Sequence, residues 1–206
     1  MVKWTQWDKI FKEQGKVFKK PQEDMPGIVK LFKKDKVKKV LDLGCGSGRH
    51  VIYLTKKGFD VYGMDNSECG IRIARNWLRE EGIKADLKIG CFCHRLPYKS
   101  SSFDAIVSVQ TMMHAFHEDI KKAIREIKRV LKPNGFIFVT VVKDRHFKKY
   151  KIIDSRTRIP LGGAEKGLVH YFYNKRLLKK DFRDFKIFKT WNDSGNYYCL
   201  FGKKII

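Results

Sequence analysis

The sequence lacks the features that mark membrane-spanning and secreted proteins. It contains no run of about 18 to 20 uninterrupted apolar residues. The stretch from Met1 to Lys20 mixes lysines with aromatic side chains and has no apolar signal-peptide core. We therefore expect a cytoplasmic protein without a membrane partner. The chain has 206 residues, of which 43% are hydrophobic, and this favours one domain with a buried core.

Cysteines are few, and their spacing does not suggest a structural framework. The five are Cys45, Cys69, Cys91, Cys93 and Cys199. They form no CxxC pair, so we expect reduced thiols and no disulfides. The sequence CFCH at residues 91–94 offers donor atoms for zinc, but no second half of such a site stands elsewhere. We therefore predict no metal site.

Acidic residues are also scarce. The chain has 22 Asp and Glu against 45 Lys and Arg, which gives a formal net charge of +23. Residues 1–39 carry 12 basic and 5 acidic side chains, residues 40–142 carry 16 and 11, and residues 143–206 carry 17 and 6. Such a charge attracts phosphate-rich partners such as RNA. A lysine-rich, solvated surface explains it equally well, and the two interpretations stay open.

Strand-like and helix-like segments alternate along the middle of the chain. We predict strands at residues 37–43, 59–64, 86–89, 103–109 and 136–142, and helices at 48–57, 67–81 and about 120–131. A helix near 174–182 and strands at 185–190 and 197–203 follow. The alternation predicts an α/β fold, with a mostly parallel sheet covered by helices on both faces.

We divide this single domain into four parts. Residues 1–36 are predicted to form a helical cap, in which Trp4, Trp7 and Phe11 either cover the mouth of a site or pack in the core. Residues 37–142 form the ligand-binding core. Residues 143–173 lack periodicity and are longer than most connections, so they are predicted to be a lid or substrate platform. Residues 174–206 supply a closing helix and a strand pair.

The sequence VLDLGCGSG at residues 40–48 places three glycines directly after the first predicted strand. Ligands of open α/β sheets bind beyond the carboxyl ends of the strands, and glycines let the backbone approach a ligand closely. A dinucleotide fingerprint, GxGxxG, requires glycine where this chain has Arg49. Asp42 would repel a pyrophosphate but attract a cationic ammonium group. The segment therefore favours a nucleoside that carries an amino acid.

A second candidate stands in VYGMD at residues 61–65. Asp65 follows the second predicted strand, where a carboxylate can accept the hydroxyl protons of a ribose. The alternative is that Asp65 belongs to the cap of the next helix, together with Asn66 and Ser67. Combined with the glycine turn, the spacing favours ribose binding.

Four ordered motifs, DLGCGSG, VYGMD, LPYKSSSFDAIVS and EIKRVLKPNGFIFVT, resemble those of class I S-adenosylmethionine-dependent methyltransferases over about residues 37–142. The resemblance implies a three-layer, Rossmann-like methyltransferase fold, with a seven-stranded sheet whose last strand is antiparallel. It implies S-adenosyl-L-methionine as cofactor and S-adenosyl-L-homocysteine as product. The cofactor contacts that we predict on this basis are Asp42, Gly44, Cys45, Gly46, Gly48, Asp65, Asn66, Phe92, Cys93 and Gln110.

One position departs from the family pattern. Where the family usually has Gly-Asp, this chain has Cys91-Phe92. A phenylalanine cannot accept a hydrogen bond from the adenine amino group. Either backbone groups around Phe92 and Cys93 read the adenine edge, or Phe92 stacks on the ring. The departure also keeps open a non-catalytic protein that only binds S-adenosylmethionine.

Methyl transfer asks for few catalytic groups, because positioning supplies much of the rate. His114 follows the fourth predicted strand in TMMHAFHED and is the candidate general base, with orientation of its loop as the alternative. His117 is expected to begin the next helix. His170, in GLVHYFY, either closes over the acceptor or packs against its aromatic neighbours.

We expect a small-molecule acceptor, because the core leaves little room for an appended recognition domain. Transfer RNA is the alternative, and the basic flanks favour it. Against RNA, QTMM stands after the fourth strand in place of the NPPY-like tetrapeptide of base-amino methylation. The paired catalytic cysteines used at pyrimidine carbon are also missing, since Cys91 and Cys93 lie in the predicted adenine loop.

Overall fold

The computed structural model describes residues 5–143 and 149–205. Its helices are α1 (Thr5–Gln14), α2 (Met25–Lys34), α3 (Arg49–Lys56), α4 (Glu68–Glu80), α5 (His117–Val130) and α6 (Lys175–Asp181). Its strands are β1 (Lys39–Leu43), β2 (Asp60–Asp65), β3 (Asp86–Ile89), β4 (Phe103–Val109), β5 (Leu131–Val142), β6 (Tyr150–Ile152), β7 (Thr157–Pro160), β8 (His170–Tyr171), β9 (Phe185–Asn192) and β10 (Tyr197–Lys204).

Seven strands form one sheet in the order β3-β2-β1-β4-β5-β10-β9. The neighbours from β3 to β5 are parallel, whereas β10 is antiparallel to both β5 and β9. The predicted mostly parallel sheet with an antiparallel last strand is therefore confirmed. The strand order reverses between β1 and β4, and a crevice forms beyond the carboxyl ends of strands at such a point.

Two apolar clusters lie on the two faces of the sheet. Along β1, Leu41 belongs to the cluster that α5 and α6 cover, and the adjacent Val40 belongs to the cluster that α2, α3 and α4 cover. This alternation follows from the period of two along a strand. Because each face buries a helix layer, the predicted three-layer architecture is confirmed.

The middle of the chain follows the predicted elements closely. The bounds of β3 and β4 are as predicted, and α4 begins after Ser67, whose side chain accepts a hydrogen bond from the Gly70 N–H at 2.9 Å. The largest difference is β5, which begins at Leu131 instead of residue 136. Within this longer strand, Asn134 has a positive φ of 59°.

The segment predicted as an irregular lid contains short strands. A three-stranded sheet forms in the order β6-β7-β8. The Tyr171 N–H donates to the Met113 carbonyl at 2.8 Å, which attaches this sheet to the loop after β4. Two of these strands, β6 and β8, have only three and two residues, which is too few to show a periodic pattern. Residues 144–148 of the predicted lid lie outside the described residues, as does Trp4.

The prediction of reduced thiols is wrong for one pair. Cys91 and Cys93 form a disulfide in the turn after β3, with Cα atoms 5.3 Å apart. A CxC spacing that is folded into a turn brings its sulfurs together, and a search for CxxC pairs overlooks it. Cys45, Cys69 and Cys199 are free and buried.

Within the described ranges, no helix is both long and hydrophobic enough to cross a lipid bilayer.

Candidate active site

A cavity of about 230 Å³ opens at the carboxyl ends of β1, β2, β3 and β4. The predicted site residues that line it are Gly44, Cys45, Gly46, Asp65, Asn66, Phe92, Gln110 and His114. The other predicted site residues, Asp42, Gly48 and Cys93, lie within the described part of the chain but do not line the cavity. The glycine turn, the end of β2 and the loops after β3 and β4 therefore meet at one place, as the fold class requires.

The floor of the cavity is the glycine turn after β1. At Gly44, with φ 82°, a Cβ atom would lie 2.0 Å from a methyl carbon of Thr111. At Gly46, with φ 52°, a Cβ would lie 2.9 Å from the ring of Phe11. Both the backbone conformation and the space therefore require glycine at these two positions.

Gly48 allows close packing of two helices at the end of the glycine turn. Its φ is 96°, and a Cβ there would lie 2.8 Å from the Cβ of Ala74 in α4. The absence of a side chain thus allows α3 to begin close to α4. Gly48 shapes the turn through helix packing and does not line the cavity.

Asp65 joins the two strand ends that form the cavity. Its Oδ2 accepts a hydrogen bond from the Gly46 N–H, and its Oδ1 accepts one from the Ser67 N–H, each at 2.8 Å. Burial raises the pKa of this carboxyl, and the backbone hydrogen bonds oppose that change. Each carboxylate oxygen has a further lone pair, so support of the helix start and binding of a ligand hydroxyl are compatible.

Asp42 lies beneath the cavity instead of in its wall. It is fully buried, and neither of its carboxylate oxygens has a hydrogen-bond partner among the described residues. Burial raises the pKa of Asp42 to about 7, while the positive charge of Arg49 acts in the opposite direction. Asp42 is not among the residues that line the cavity, so its contact with a ligand stays a prediction.

Arg49 supplies a positive charge in the cavity wall. From the sequence, it was evidence only against a dinucleotide site. Its Nη2 donates to Oε1 of Gln110 at 3.3 Å, and its guanidinium lies 4.8 Å from the ring centroid of Phe18. Burial lowers the pKa of Arg49, and the neighbouring Asp42 partly restores it. Arg49 stands directly after the glycines, at the first residue of α3. This position in the sequence indicated that its side chain could line the cavity.

Helix α1 covers part of the cavity. Trp7 and Phe11 line it, as one of the two predicted alternatives required. Asp8, between them, accepts hydrogen bonds through Oδ1 from the Ser67 hydroxyl and the Cys69 N–H, both at 2.8 Å. These bonds fix α1 at the start of α4. The Gln6 side chain also donates to the Ala164 carbonyl at 2.9 Å, which joins α1 to the predicted lid segment.

The wall beside β3 is apolar. Phe92 and Met64 line the cavity there, together with Gly90. Cys93 is turned into the hydrophobic core, and its disulfide with Cys91 holds the turn. Phe92 lines the cavity and is also part of the hydrophobic core, at the position where the family usually has an aspartate.

His114 lines the cavity beside Trp7 and Glu165. Its imidazole is buried, with ring centroids 5.3 Å from Trp7 and 4.6 Å from His170. Burial, followed by the charge of His170, lowers the pKa of His114 to about 3, so the ring is neutral near pH 7. His117 begins α5, as predicted, and its Nε2 lies 2.7 Å from Oδ2 of Asp181.

Several lining residues were not predicted, because they are distant in sequence from the glycine turn. Glu165 comes from the lid segment and Tyr197 from the start of β10. Thr111 contacts Gly44 and stands next to the predicted Gln110, so its position after β4 was the available signal.

Comparisons with known proteins agree with this geometry. A family model described as "Methyltransferase domain" matches residues 40–135. The ubiquinone biosynthesis O-methyltransferase of Histophilus somni is 28% identical over 172 residues, which cover 79% of this chain and 65% of that protein. The human probable tRNA methyltransferase 9B is 31% identical over 139 residues, which cover 64% of this chain and 26% of that protein.

Among solved structures, the 1,6-didemethyltoxoflavin-N1-methyltransferase of Burkholderia thailandensis matches with a TM-score of 0.77 at 14% identity, over 100% of this chain and 88% of that one. This likeness shows the fold. Residues 40–135 therefore match the methyltransferase-domain family, and the fold is that of the class I S-adenosylmethionine-dependent methyltransferases, whose cofactor is S-adenosyl-L-methionine. The chain spans less than two thirds of the length of the two curated relatives named above.

Proposed function

We propose that this protein transfers a methyl group from S-adenosyl-L-methionine to a small-molecule acceptor. The observation that carries the proposal is the cavity itself, in which the glycine turn, Asp65, Arg49 and His114 lie around one space. Two of the similar proteins support it by name, one acting in ubiquinone biosynthesis and one methylating 1,6-didemethyltoxoflavin.

The residues of the cavity fit the chemistry of the cofactor. Gly44 and Gly46 present bare backbone, against which the methionine part would lie. Asp65 would accept the ribose hydroxyl protons, and Phe92 would face the adenine. The guanidinium of Arg49 would pair with the carboxylate of the methionine part, since such pairs form strong charge-assisted hydrogen bonds. When bound, the cofactor supplies the methyl group on a positively charged sulfur.

The cover of the cavity favours a compact acceptor. Helix α1 lies over it and is joined to the lid segment by the hydrogen bond from Gln6 to Ala164. Trp7 and Glu165 both line the cavity at this cover. A small molecule can be enclosed there, whereas a nucleotide within an RNA chain would have to displace α1 or the lid. His114, neutral and buried at this end, is the proposed general base.

Incubation with methyl-labelled S-adenosylmethionine and a fractionated cell extract tests this proposal. We expect label in the small-metabolite fraction with the wild type, and at least about tenfold less with Arg49→Met, because a buried charged hydrogen bond is worth about 1.5–3 kcal/mol. Lys57→Met, at the residue directly after the same helix, is the matched control and should behave as wild type. Cofactor binding without transfer to any fraction would favour the non-catalytic alternative.

RNA is the second candidate acceptor, because the net charge is +23 and a human relative is named as a probable tRNA methyltransferase. This alternative requires binding of tRNA that weakens steeply as salt rises. Fluorescence anisotropy with labelled tRNA at increasing salt checks it. Label in the RNA fraction together with a steep salt dependence would replace the small-molecule proposal.

A further inference from the structure

Three side chains with metal-binding chemistry meet where helix α1 and the lid segment adjoin the cavity. We call this part, which Trp7, His114 and Glu165 line, the acceptor end. One donor atom each from His114, Glu165 and His170 lies within 4.8 Å of the other two. The three come from separate parts of the chain, since His114 follows β4, Glu165 lies in the lid segment and His170 begins β8. His114 and Glu165 line the cavity, and His170 is buried with 1% of its surface exposed.

A second, independent observation concerns the nitrogen atoms of His114. Its Nδ1 is buried and has no hydrogen-bond partner among the described residues, while the whole side chain is only 3% exposed. An unsatisfied buried polar group costs about 1–3 kcal/mol, and native proteins rarely keep one without a function. A lone pair at this nitrogen is therefore available to a ligand within the cluster.

The contacts of His170 point in the same direction. Its Nδ1 lies 3.2 Å from the Leu168 carbonyl, and its Nε2 lies 3.1 Å from Oε2 of Glu165. When Nδ1–H donates to the carbonyl, the lone pair of Nε2 faces a carboxylate, which is unfavourable unless a proton or a metal ion lies between them. A hydrogen bond from the non-ligating nitrogen to a backbone carbonyl is the usual arrangement of a metal-bound histidine.

We propose that His114, Glu165 and His170 bind one divalent transition-metal ion, such as zinc, at the acceptor end of the cavity. Two histidines and a carboxylate form the ligand set of several catalytic zinc centres and of other first-row divalent ions. Ligand atoms around a tetrahedral zinc lie about 3.4 Å apart, so side-chain shifts of about 1 Å would complete the site. The sequence predicted no metal site. It could not indicate this one, because Glu165 and His170 belong to no recognisable spacing motif.

The position of the site also suggests a chemical class of acceptor, a step that rests on the proposed function. Three protein ligands leave at least one coordination position, and the cavity lies on the side of His114 and Glu165. An oxygen of an alcohol, phenol or carboxylate would fill it. With His114 as a ligand, the metal ion would replace the general base proposed above. Coordination lowers the pKa of a hydroxyl group, so such an acceptor would release its proton to solvent more readily.

The second group of potential ligands, Cys91, Cys93 and His94, does not carry the same proposal. Its two sulfurs are joined in a disulfide and are not thiolates. His94 is exposed, so it serves as the control for adventitious binding to a surface imidazole.

Titration of untagged, chelator-treated protein with Co²⁺, followed by visible absorption, tests the site. We expect one Co²⁺ per wild-type chain, displaced by Zn²⁺, and at least about 100-fold weaker binding in Glu165→Gln and in His170→Asn. The Glu165→Gln exchange preserves shape at a partly exposed position, so it keeps the test valid even if His170→Asn disturbs folding. His94→Asn should bind as wild type does.

Calorimetry with S-adenosylhomocysteine on the same samples separates this proposal from the proposed function. A wild type that binds S-adenosylhomocysteine but no stoichiometric Co²⁺ overturns the metal site. Loss of Co²⁺ binding in His94→Asn alone also overturns it. A wild type that binds Co²⁺ but no S-adenosylhomocysteine overturns the proposed function instead.

Discussion

The backbone N–H of Gly46 donates a hydrogen bond of 2.8 Å to Oδ2 of Asp65, across 19 residues of sequence. Through this bond, the turn after β1 is fixed to the end of β2. The other oxygen of the same carboxylate accepts from the Ser67 N–H at the start of α4. One side chain therefore connects the ends of β1 and β2 with the start of α4. These three elements surround the proposed ribose site.

Asp65→Asn should weaken binding of S-adenosylhomocysteine by about tenfold or more. The amide keeps one acceptor oxygen and turns an NH₂ group toward one of the two backbone donors, and a hydrogen bond to a charged group is worth about 1.5–3 kcal/mol. Isothermal titration calorimetry measures the affinity. Asp60→Asn, at the exposed start of β2, is the matched control, and equal affinities for the two variants would contradict the proposed ribose contact.

The central fold was predictable from the sequence because its elements are long and periodic. The continuous apolar strands β1 and β4 and the amphipathic helix α5 each carry enough residues to show their period. The strands β6 and β8, by contrast, have three and two residues, and pairing with distant backbone defines them. No local pattern can predict such pairing, so the lid segment could be predicted only as irregular.

The same distinction applies to the candidate site. Gly46 and Asp65 were predictable because they follow strands, and strand ends in a parallel sheet meet at one edge. Asp42 was predicted to contact the ligand from its place beside the glycines, but its side chain is fully buried and does not line the cavity, which the sequence could not show. Glu165 and Tyr197 reach the cavity through tertiary packing, which the spacing of residues does not encode.

Gly46→Ala should reduce the affinity for S-adenosylhomocysteine at least about tenfold. The added methyl group would lie 2.9 Å from the Phe11 ring, so either the ring or the turn must move. Gly58→Ala is the matched control, because Gly58 also has a positive φ, of 87°, but no atom within 4 Å of the added carbon. Both variants should lose about 1–2 kcal/mol of unfolding free energy, the cost of the left-handed conformation.

Calorimetry and urea denaturation on both variants separate the two effects. We expect loss of affinity in Gly46→Ala only. Both variants should lose stability, and Gly46→Ala should lose more, because its added methyl group also meets Phe11. If Gly58→Ala loses affinity to the same extent, the effect arises from backbone strain and the close approach of Phe11 is irrelevant to binding.

Asp8→Ala should release helix α1 from the start of α4. It removes the oxygen that accepts from Ser67 and Cys69, whereas Asp8→Asn retains an oxygen at the same position and serves as control. Local opening should then become about tenfold more frequent, since these hydrogen bonds involve a charged acceptor. Trypsin cleavage at Lys9 and Lys12, followed by mass spectrometry, reports the opening. Identical digestion rates for Asp8→Ala and wild type would show that other contacts hold α1.

Asp42 should make the stability of the protein depend on pH. Its pKa is raised by burial to about 7, from 3.8 in an exposed carboxyl. Below about pH 4 the carboxyl is protonated in both the folded and the unfolded chain. As pH rises from about 4 to 7, the unfolded chain ionises while the folded chain keeps the proton, so stability falls by up to about 1.4 kcal/mol per pH unit.

Asp42→Asn removes this ionisation, and its stability relative to wild type should therefore increase from about pH 4 to pH 7 and stay level above pH 7. If burying the amide changes the free energy of unfolding by a constant amount, the plot of this difference against pH shifts as a whole and its slope does not change. Urea denaturation of both proteins at several pH values between 4.5 and 8.5 measures the difference, and a difference independent of pH would contradict a buried carboxyl of raised pKa. Arg49→Met offers a second check, because loss of its positive charge should raise the pKa of Asp42 further and extend the sloping region above pH 7.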